Sequence, residues 1–419
     1  MLGRRAAVAT ARRTLVGRPG SATRPRRAVA VAVATAFYTH LLVTVAFIDT
    51  MAQLPLLSPF AASLGAGATF IGVILGAYSL VNMVGNVAAG PVIDRMGRRI
   101  TLAAGMLVAG GAVAAYAFVA APWQLLGLRL VHGMGGAFLI PAAFAYVGDR
   151  SARGSVGRSM GYAGAAVAVA ALVGPALGGI GRDAFGIRAV FLAIGALLGV
   201  TAVSAIWLIR DRTEKAPVQG PAAGAPVAPR LRFAFEDPDL RYAYVSVFTL
   251  SFAMGVLAYS FPLTMQSSGF SAARTGAFFS IFSAAAILVL VLPTNRLSDR
   301  FGRRPLVIAG SVAVAVALAL LPSSRSMASL TAVMALYGAG YGTLFPTACA
   351  IVVDRTTASN RGTAFGVFYA AFSLGVTIGP VAAGLAAGSG VSAYWLPVGV
   401  IVVVRLALLS LRARDAAGS

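Results

Sequence analysis

The feature that most constrains this chain is an internal repeat. A constant shift of 205 residues lays Asp94-Arg95 on Asp299-Arg300 and Gly97-Arg98-Arg99 on Gly302-Arg303-Arg304. The same shift lays Gly133 and Gly135 on Gly338 and Gly340, Pro141 on Pro346 and Asp149-Arg150 on Asp354-Arg355. It also lays Gly161 on Gly366 and Gly174-Pro175 on Gly379-Pro380. A single register without a gap marks a duplicated unit. The segments between these points are apolar runs of roughly the 20 residues that cross a bilayer as a helix.

Composition supports a lipid environment. Hydrophobic residues make up 58% of the 419 residues and charged residues only 11%, against roughly 25% charged in a soluble domain. The 48 glycines suit membrane helices, whose close approach needs small side chains. Apolar runs at 30–60, 68–92, 100–120, 123–148, 157–181, 187–209, 240–266, 273–296, 304–322, 327–352, 362–387 and 391–411 predict an all-α membrane protein. Its twelve transmembrane helices would form two pseudo-symmetric six-helix bundles. The stretch APVQGPAAGAPVAP lacks apolar periodicity and is rich in Pro and Gly, so it reads as a linker. The expected organisation is a basic tail at 1–29, bundles at 30–209 and 240–411, a linker at 210–239 and a tail at 412–419.

The formal charge of +22 is dominated by arginine. It lies in short clusters between apolar runs, a pattern of membrane topology rather than of nucleic-acid binding. Alternate loops carry Arg95, Arg98 and Arg99, then Arg150, Arg153 and Arg158, then the linker arginines. The same side continues with Arg300, Arg303 and Arg304, then Arg355 and Arg361. The opposite loops hold Arg182, Arg188, Arg274 and Arg325. This asymmetry predicts cytoplasmic termini on a multi-pass protein of the cell (plasma) membrane. The arginine-rich start precedes a long apolar run with no clear small-residue cleavage site, which predicts a retained first helix. A single cysteine, Cys349, excludes an intrachain disulfide.

Three motif groups carry chemistry. The first is Gly90-Pro-Val-Ile-Asp94-Arg95-Met-Gly97-Arg98-Arg99, with its copy at Asp299-Arg300-Phe-Gly302-Arg303-Arg304. Gly97 supports a tight turn. Asp94 can pair with the guanidiniums, and such a cluster can break and re-form as a gate on the cytoplasmic side. The second is Gly174-Pro175-Ala-Leu-Gly178-Gly179, echoed by Gly379-Pro380, which predicts a bent, closely packed helix. The third is ionic. Asp49 is the acidic residue well inside a predicted span, and Arg129 the basic one. A charge there is costly and faces a cavity or a partner. Their depths from the outer helix ends differ by only about 8 Å at 1.5 Å per residue, so an Asp49–Arg129 pair, direct or through water, is expected. His132, three residues after Arg129, can titrate near neutral pH, as can His40. Asp49, Arg129 and His132 are the expected proton-coupling residues, all in the first half.

These motifs resemble those of the major facilitator superfamily, and within it the twelve-span drug:proton antiporter group. The Gly90–Arg99 segment matches the superfamily's loop signature. Leu-Arg129-Leu-Val-His132-Gly133-Met-Gly135-Gly136-Ala resembles the fourth-span motif, whose arginine the resemblance implicates in proton coupling. The family pattern often has Gln where His132 stands. The segment from Gly164 to Gly179 resembles the fifth-span antiporter motif. Asn295 in place of the loop motif's first glycine, and Met334 opposite Arg129, depart from the pattern in the second half.

The remaining cavity candidates are Phe47, Met51, Tyr78, Asn82, Asn86, Phe138, Tyr259 and Phe282. Met and aromatic side chains suit loosely specific hydrophobic ligands, and Asn82 and Asn86 share a helix face. The expected function is proton-coupled export of small hydrophobic or amphipathic compounds by alternating access. A proton symporter or facilitator importing a metabolite shares the fold. The alternative of another class is a transport-dead membrane sensor or a membrane enzyme; an enzyme needs a clustered acid, base or metal site, which is not legible here. No cofactor and no metal are expected. The expected partners are the lipid bilayer, a small-molecule substrate and protons, and the expected state is a monomer.

Overall fold

The computed structural model describes residues 23–150, 156–209, 227–292, 300–357 and 360–417. These fold into helices joined by short turns. In chain order they are α1 (Thr23–Ala52), α2 (Leu57–Ser63), α3 (Ala68–Met96), α4 (Arg98–Ala115), α5 (Pro122–Arg150), α6 (Val156–Phe185) and α7 (Ile187–Leu208). There follow α8 (Val227–Glu236), α9 (Pro238–Ser267), α10 (Ala272–Val291), α11 (Arg303–Leu320), α12 (Met327–Asp354), α13 (Arg361–Ala386) and α14 (Trp395–Ala417).

Local chemistry places the ends. Asp237 accepts from the backbone N–H of Asp239 and Leu240 (2.8 and 3.1 Å), with Pro238 at the first helical position, so α9 starts there. Ser271 caps α10, and a Ser326–Ser329 capping box opens α12. Gly97 and Gly302 hold φ of +84° and +82° between paired helices. This left-handed region strains any residue with a Cβ, which is why the repeat keeps glycine at both points.

Among the described residues, ten helices are long and apolar enough to cross a membrane, or eleven if the bent α1–α2 pair is one span. The expected first run at 30–60 is broken by a 44° bend between Ala52 and Leu57. The expected last run at 391–411 becomes α14, whose apolar part is only Trp395–Leu408. The linker is not wholly irregular, because α8 forms at its end and starts before α9. Large apolar side chains such as Phe118, Phe185, Trp207, Val200 and Val403 are exposed. Such surfaces are stable only against lipid.

The buried apolar residues form two clusters. One comes from α1–α7, including Leu42, Ile74, Met106 and Phe191, with Phe252, Val256, Tyr259, Ala272 and Ala383 added from α9, α10 and α13. The other lies within α8–α14, around Phe261, Phe278, Tyr337 and Phe368. Packing follows the repeat: α4 lies on α5 as α11 lies on α12, and α3 lies on α5 as α10 lies on α12. Contact between the early and late helices runs through α3 with α13 and α6 with α10.

Candidate functional site

Glycine makes that contact possible. A side chain at Gly179 would run into the Ala272 carbonyl, one at Gly276 into Pro175, one at Gly72 into Pro380 and one at Gly384 into Ala68. Gly178 sits equally close to Ala52 of α1, Gly174 faces Met51, and Gly379 packs on the Phe252 carbonyl. The motif around Pro175 and Pro380 therefore lies in the contact between helices, and α6 and α13 continue through both prolines. Further bonds sit at the same end. Asp183 accepts from the backbone N–H of Ala272 (3.2 Å) and Ala273 (2.7 Å), and the Tyr259 hydroxyl donates to Ala68 O at 3.0 Å.

The opposite end carries the arginine-rich turns. Arg98 lies 3.0 Å from Asp94 and 2.9 Å from Asp149. At the repeated positions, Arg303 lies 3.1 Å from Asp354. Both Arg98–Asp149 and Arg303–Asp354 link the turn to the end of the helix two further on. Arg304 pairs with Asp239 and stacks on Tyr242, and Arg355 reaches Asp237 at 3.1 Å. These pairs join neighbouring helices within α3–α5 or within α9–α12. Gly90 and Arg95 are exposed, Arg99 is half-buried, and Arg300 stacks on Phe301. Asp299 and Asn295 lie outside the described residues.

Between these ends is a buried polar knot. Asp49 on α1 and Arg129 and His132 on α5 are 2%, 7% and 0% exposed. His132 Nε2 is 2.7 Å from Asp49 Oδ2. Its Nδ1 is 3.0 Å from the Tyr116 hydroxyl and 3.5 Å from Arg129 Nη1. A guanidinium can only donate, so Nδ1 presents its lone pair and Nε2 carries the hydrogen donated to Asp49. Arg129 also donates to the carbonyls of Ile74 and Leu75, both at 3.3 Å, and lies over the Tyr78 ring. Gln53 Nε2 donates to Asp49 Oδ1 at 2.9 Å. The expected Asp49–Arg129 pair is thus replaced by a relay through His132. The imidazole fits because Arg129 and His132 are three residues apart on one helix face. His40 instead packs edge-on against Tyr162.

A cavity of about 300 Å³ adjoins the knot. Met51, Gln53, Tyr78, Asn82 and Arg129 line one side, and Met254, Tyr341, Phe372 and Ser373 the other. Of the cavity candidates read from sequence, Met51, Tyr78 and Asn82 line it. Asn86 is exposed and donates to Asn82 Oδ1 at 2.9 Å. Phe47 packs on Phe144, Phe138 packs on the first core cluster, Tyr259 closes the helix contact, and Phe282 is buried against Tyr337 and Tyr341. These aromatics went to packing because periodicity alone does not separate a lining face from a core face.

The structure adds Gln53, four residues after Asp49 on the same face, and Tyr116, which the short 3-10 turn after α4 carries into the knot. It also places a partly buried ionisable group in the second half that the sequence reading did not single out. Arg405 on α14 donates to Ser246 Oγ (3.1 Å) and Ser311 Oγ (2.6 Å) and stacks on Tyr242. Its serine partners, distant in sequence, leave no motif.

The profile of the Major Facilitator Superfamily matches residues 39–292 and 243–419. An uncharacterized MFS-type transporter of Methanocaldococcus jannaschii is 23% identical over 80% of this chain and 86% of its own length. The multi-drug resistance efflux pump PmrA of Streptococcus pneumoniae is 24% identical over 80% of this chain and 84% of its own. Among solved structures, a bacterial homolog of the human lysosomal transporter Spinster, inward-facing and unoccupied, superposes with a TM-score of 0.73 at 16% identity, covering 86% of this chain and 83% of that one. Together with the lipid-facing helices and the central cavity, the family match leads to one conclusion: the chain is a multi-pass membrane transporter that belongs to the major facilitator superfamily.

Proposed function

We propose that this transporter is a proton-coupled exporter of small hydrophobic or amphipathic compounds. In this reading twelve spans form two six-helix bundles, residues 30–209 and 240–411, that rock about a central site in the cell membrane. Both termini are cytoplasmic, and a single chain carries the cycle.

The observation that carries the reading is the buried Asp49–His132–Arg129 relay beside a largely apolar cavity. With one carboxylate and one guanidinium, the knot balances its charges. An added proton must displace a contact, either at His132 Nδ1 or at an Asp49 oxygen, and leaves the knot cationic. Burial makes that imbalance felt, so proton loading can bias the helices that surround it. The contacts between early and late helices cluster at the end away from the arginine-rich turns, which suits a state closed to the outside and open to the cytoplasm. The relatives named for multidrug efflux support export.

The test is ethidium movement in inverted vesicles with an imposed acid-inside pH gradient. Gradient-driven accumulation is expected for the native protein and not for Asp49→Asn. Equal accumulation by both would remove Asp49 from coupling. Expulsion of preloaded ethidium under the same gradient would mark a symporter.

A further inference from the structure

The cavity holds two polar atoms whose bonding capacity is unused. Gln53 lines it and donates Nε2 to Asp49 Oδ1 and to the Asp49 backbone carbonyl, each at 2.9 Å. Both are acceptors, so the amide orientation is fixed. Its Oε1 is buried and has no hydrogen-bond partner among the described residues. Asn82 lines the same cavity. Its Oδ1 accepts from Asn86, and its Nδ2 is likewise buried without a partner. Buried polar atoms are costly when unmatched, and each one calls for an explanation. Here one acceptor and one donor border a single apolar space.

We propose that Gln53 Oε1 and Asn82 Nδ2 are the recognition pair for substrate, and that Gln53 transmits substrate occupancy to Asp49. This rests on the exporter reading above. The ligand class is a flat apolar molecule bearing an amine N–H, with an acceptor elsewhere for Asn82. A substrate N–H donating to Oε1 continues through the amide to Nε2–H and on to the Asp49 carboxylate. Donor-to-acceptor chains of this kind strengthen along their length. Occupancy therefore favours Asp49 without its proton, and a proton on Asp49 weakens the hold on the substrate. Binding linkage makes the two effects equal: substrate lowers the proton affinity by the same factor by which the proton lowers the substrate affinity, which is the exchange rule of an antiporter.

The charged and titratable groups facing Asp49 are His132 and Arg129 from α5, Tyr78 from α3 and Tyr116 from the 3-10 turn. Of the ionisable residues on α6 and α7, which also pack near α1, Arg158, Arg182, Asp183 and Arg188 lie near helix ends and Tyr162 lies against His40. Arg129 and Tyr78 of this group also line the cavity, and Gln53 is the neutral side chain that joins the Asp49 carboxylate to it.

The experiment compares two permanent cations with one ring system in proteoliposomes: diamino-N-methylacridinium, which carries amine N–H groups, and bis(dimethylamino)-N-methylacridinium, which has methyl groups in their place. The native protein is expected to move the first with a kcat/KM about tenfold higher, the worth of one hydrogen bond that would otherwise go unmade. In Gln53→Met, which keeps the volume, the ratio falls to about one. Fewer protons are then exchanged per cation moved, because the link to Asp49 is gone. A native ratio of about one would already overturn the role of Gln53, so the test stands even if Gln53→Met fails to fold. Both cations moved at one unchanged ratio by native protein and variant would overturn the role of Gln53 alone. Neither moved by the native protein under any pH gradient would overturn the exporter reading and this inference with it.

Discussion

The relay makes a quantitative prediction about charge balance. His132 lies 2.7 Å from Asp49 and 3.5 Å from Arg129, through its two ring nitrogens. Across the ring, the carboxylate and guanidinium charges are at most about 8 Å apart, and at an effective dielectric of about 20 they attract by about 2 kcal/mol. Asp49→Asn strands the Arg129 cation, and Arg129→Gln strands the carboxylate. Each buried, unbalanced charge costs about 3–5 kcal/mol. The double variant carries neither charge, so its loss should fall short of the sum of the single losses by about 2 kcal/mol. The lone cysteine supplies the assay. Cys349 is partly buried, so a thiol-reactive fluorophore reports its exposure as the detergent-solubilised protein melts. Losses that add within about 0.5 kcal/mol, as they do for independent sites, would refute the relay: Arg129 would then not sense Asp49 through His132.

Two further outcomes follow from single contacts. Asp183→Ala removes the carboxylate that caps α10 from α6. The loss of about 1 kcal/mol should shift the balance roughly fivefold toward opening at that end. Spin labels at Phe185 and Ser268 in a Cys349→Ala background would read this as a longer distance, and an unchanged distribution would refute it. Arg405→Lys should lower the melting temperature, because one ammonium cannot reach both Ser246 and Ser311 while lying flat over Tyr242. Unchanged melting would mean that the planar fork is dispensable.

The sequence by itself determined most of the helices, their repeat and the turns at Gly97 and Gly302, but not the break after Ala52 or the helix at Val227–Glu236. Apolar run length sets what lipid accepts, and Gly97 and Gly302 mark turns that only glycine makes without strain. It also singled out Asp49, Arg129 and His132, because an ionisable group in an apolar run is conspicuous. Partner choice was decided by the tertiary structure alone. Depth along two helices brought Asp49 and Arg129 to one level, but it carries no information on rotation about the axes. Rotation put His132 between them, drew in Tyr116 and Gln53, and sent Phe282 and Tyr259 to packing. Arg405 shows the same limit from the other side: its serines sit on two other helices, at positions that no local pattern marks. Run length and composition are one-dimensional and legible in the chain. Which side chains meet depends on how helices turn and stack, and close glycine contacts between distant segments settle that in three dimensions.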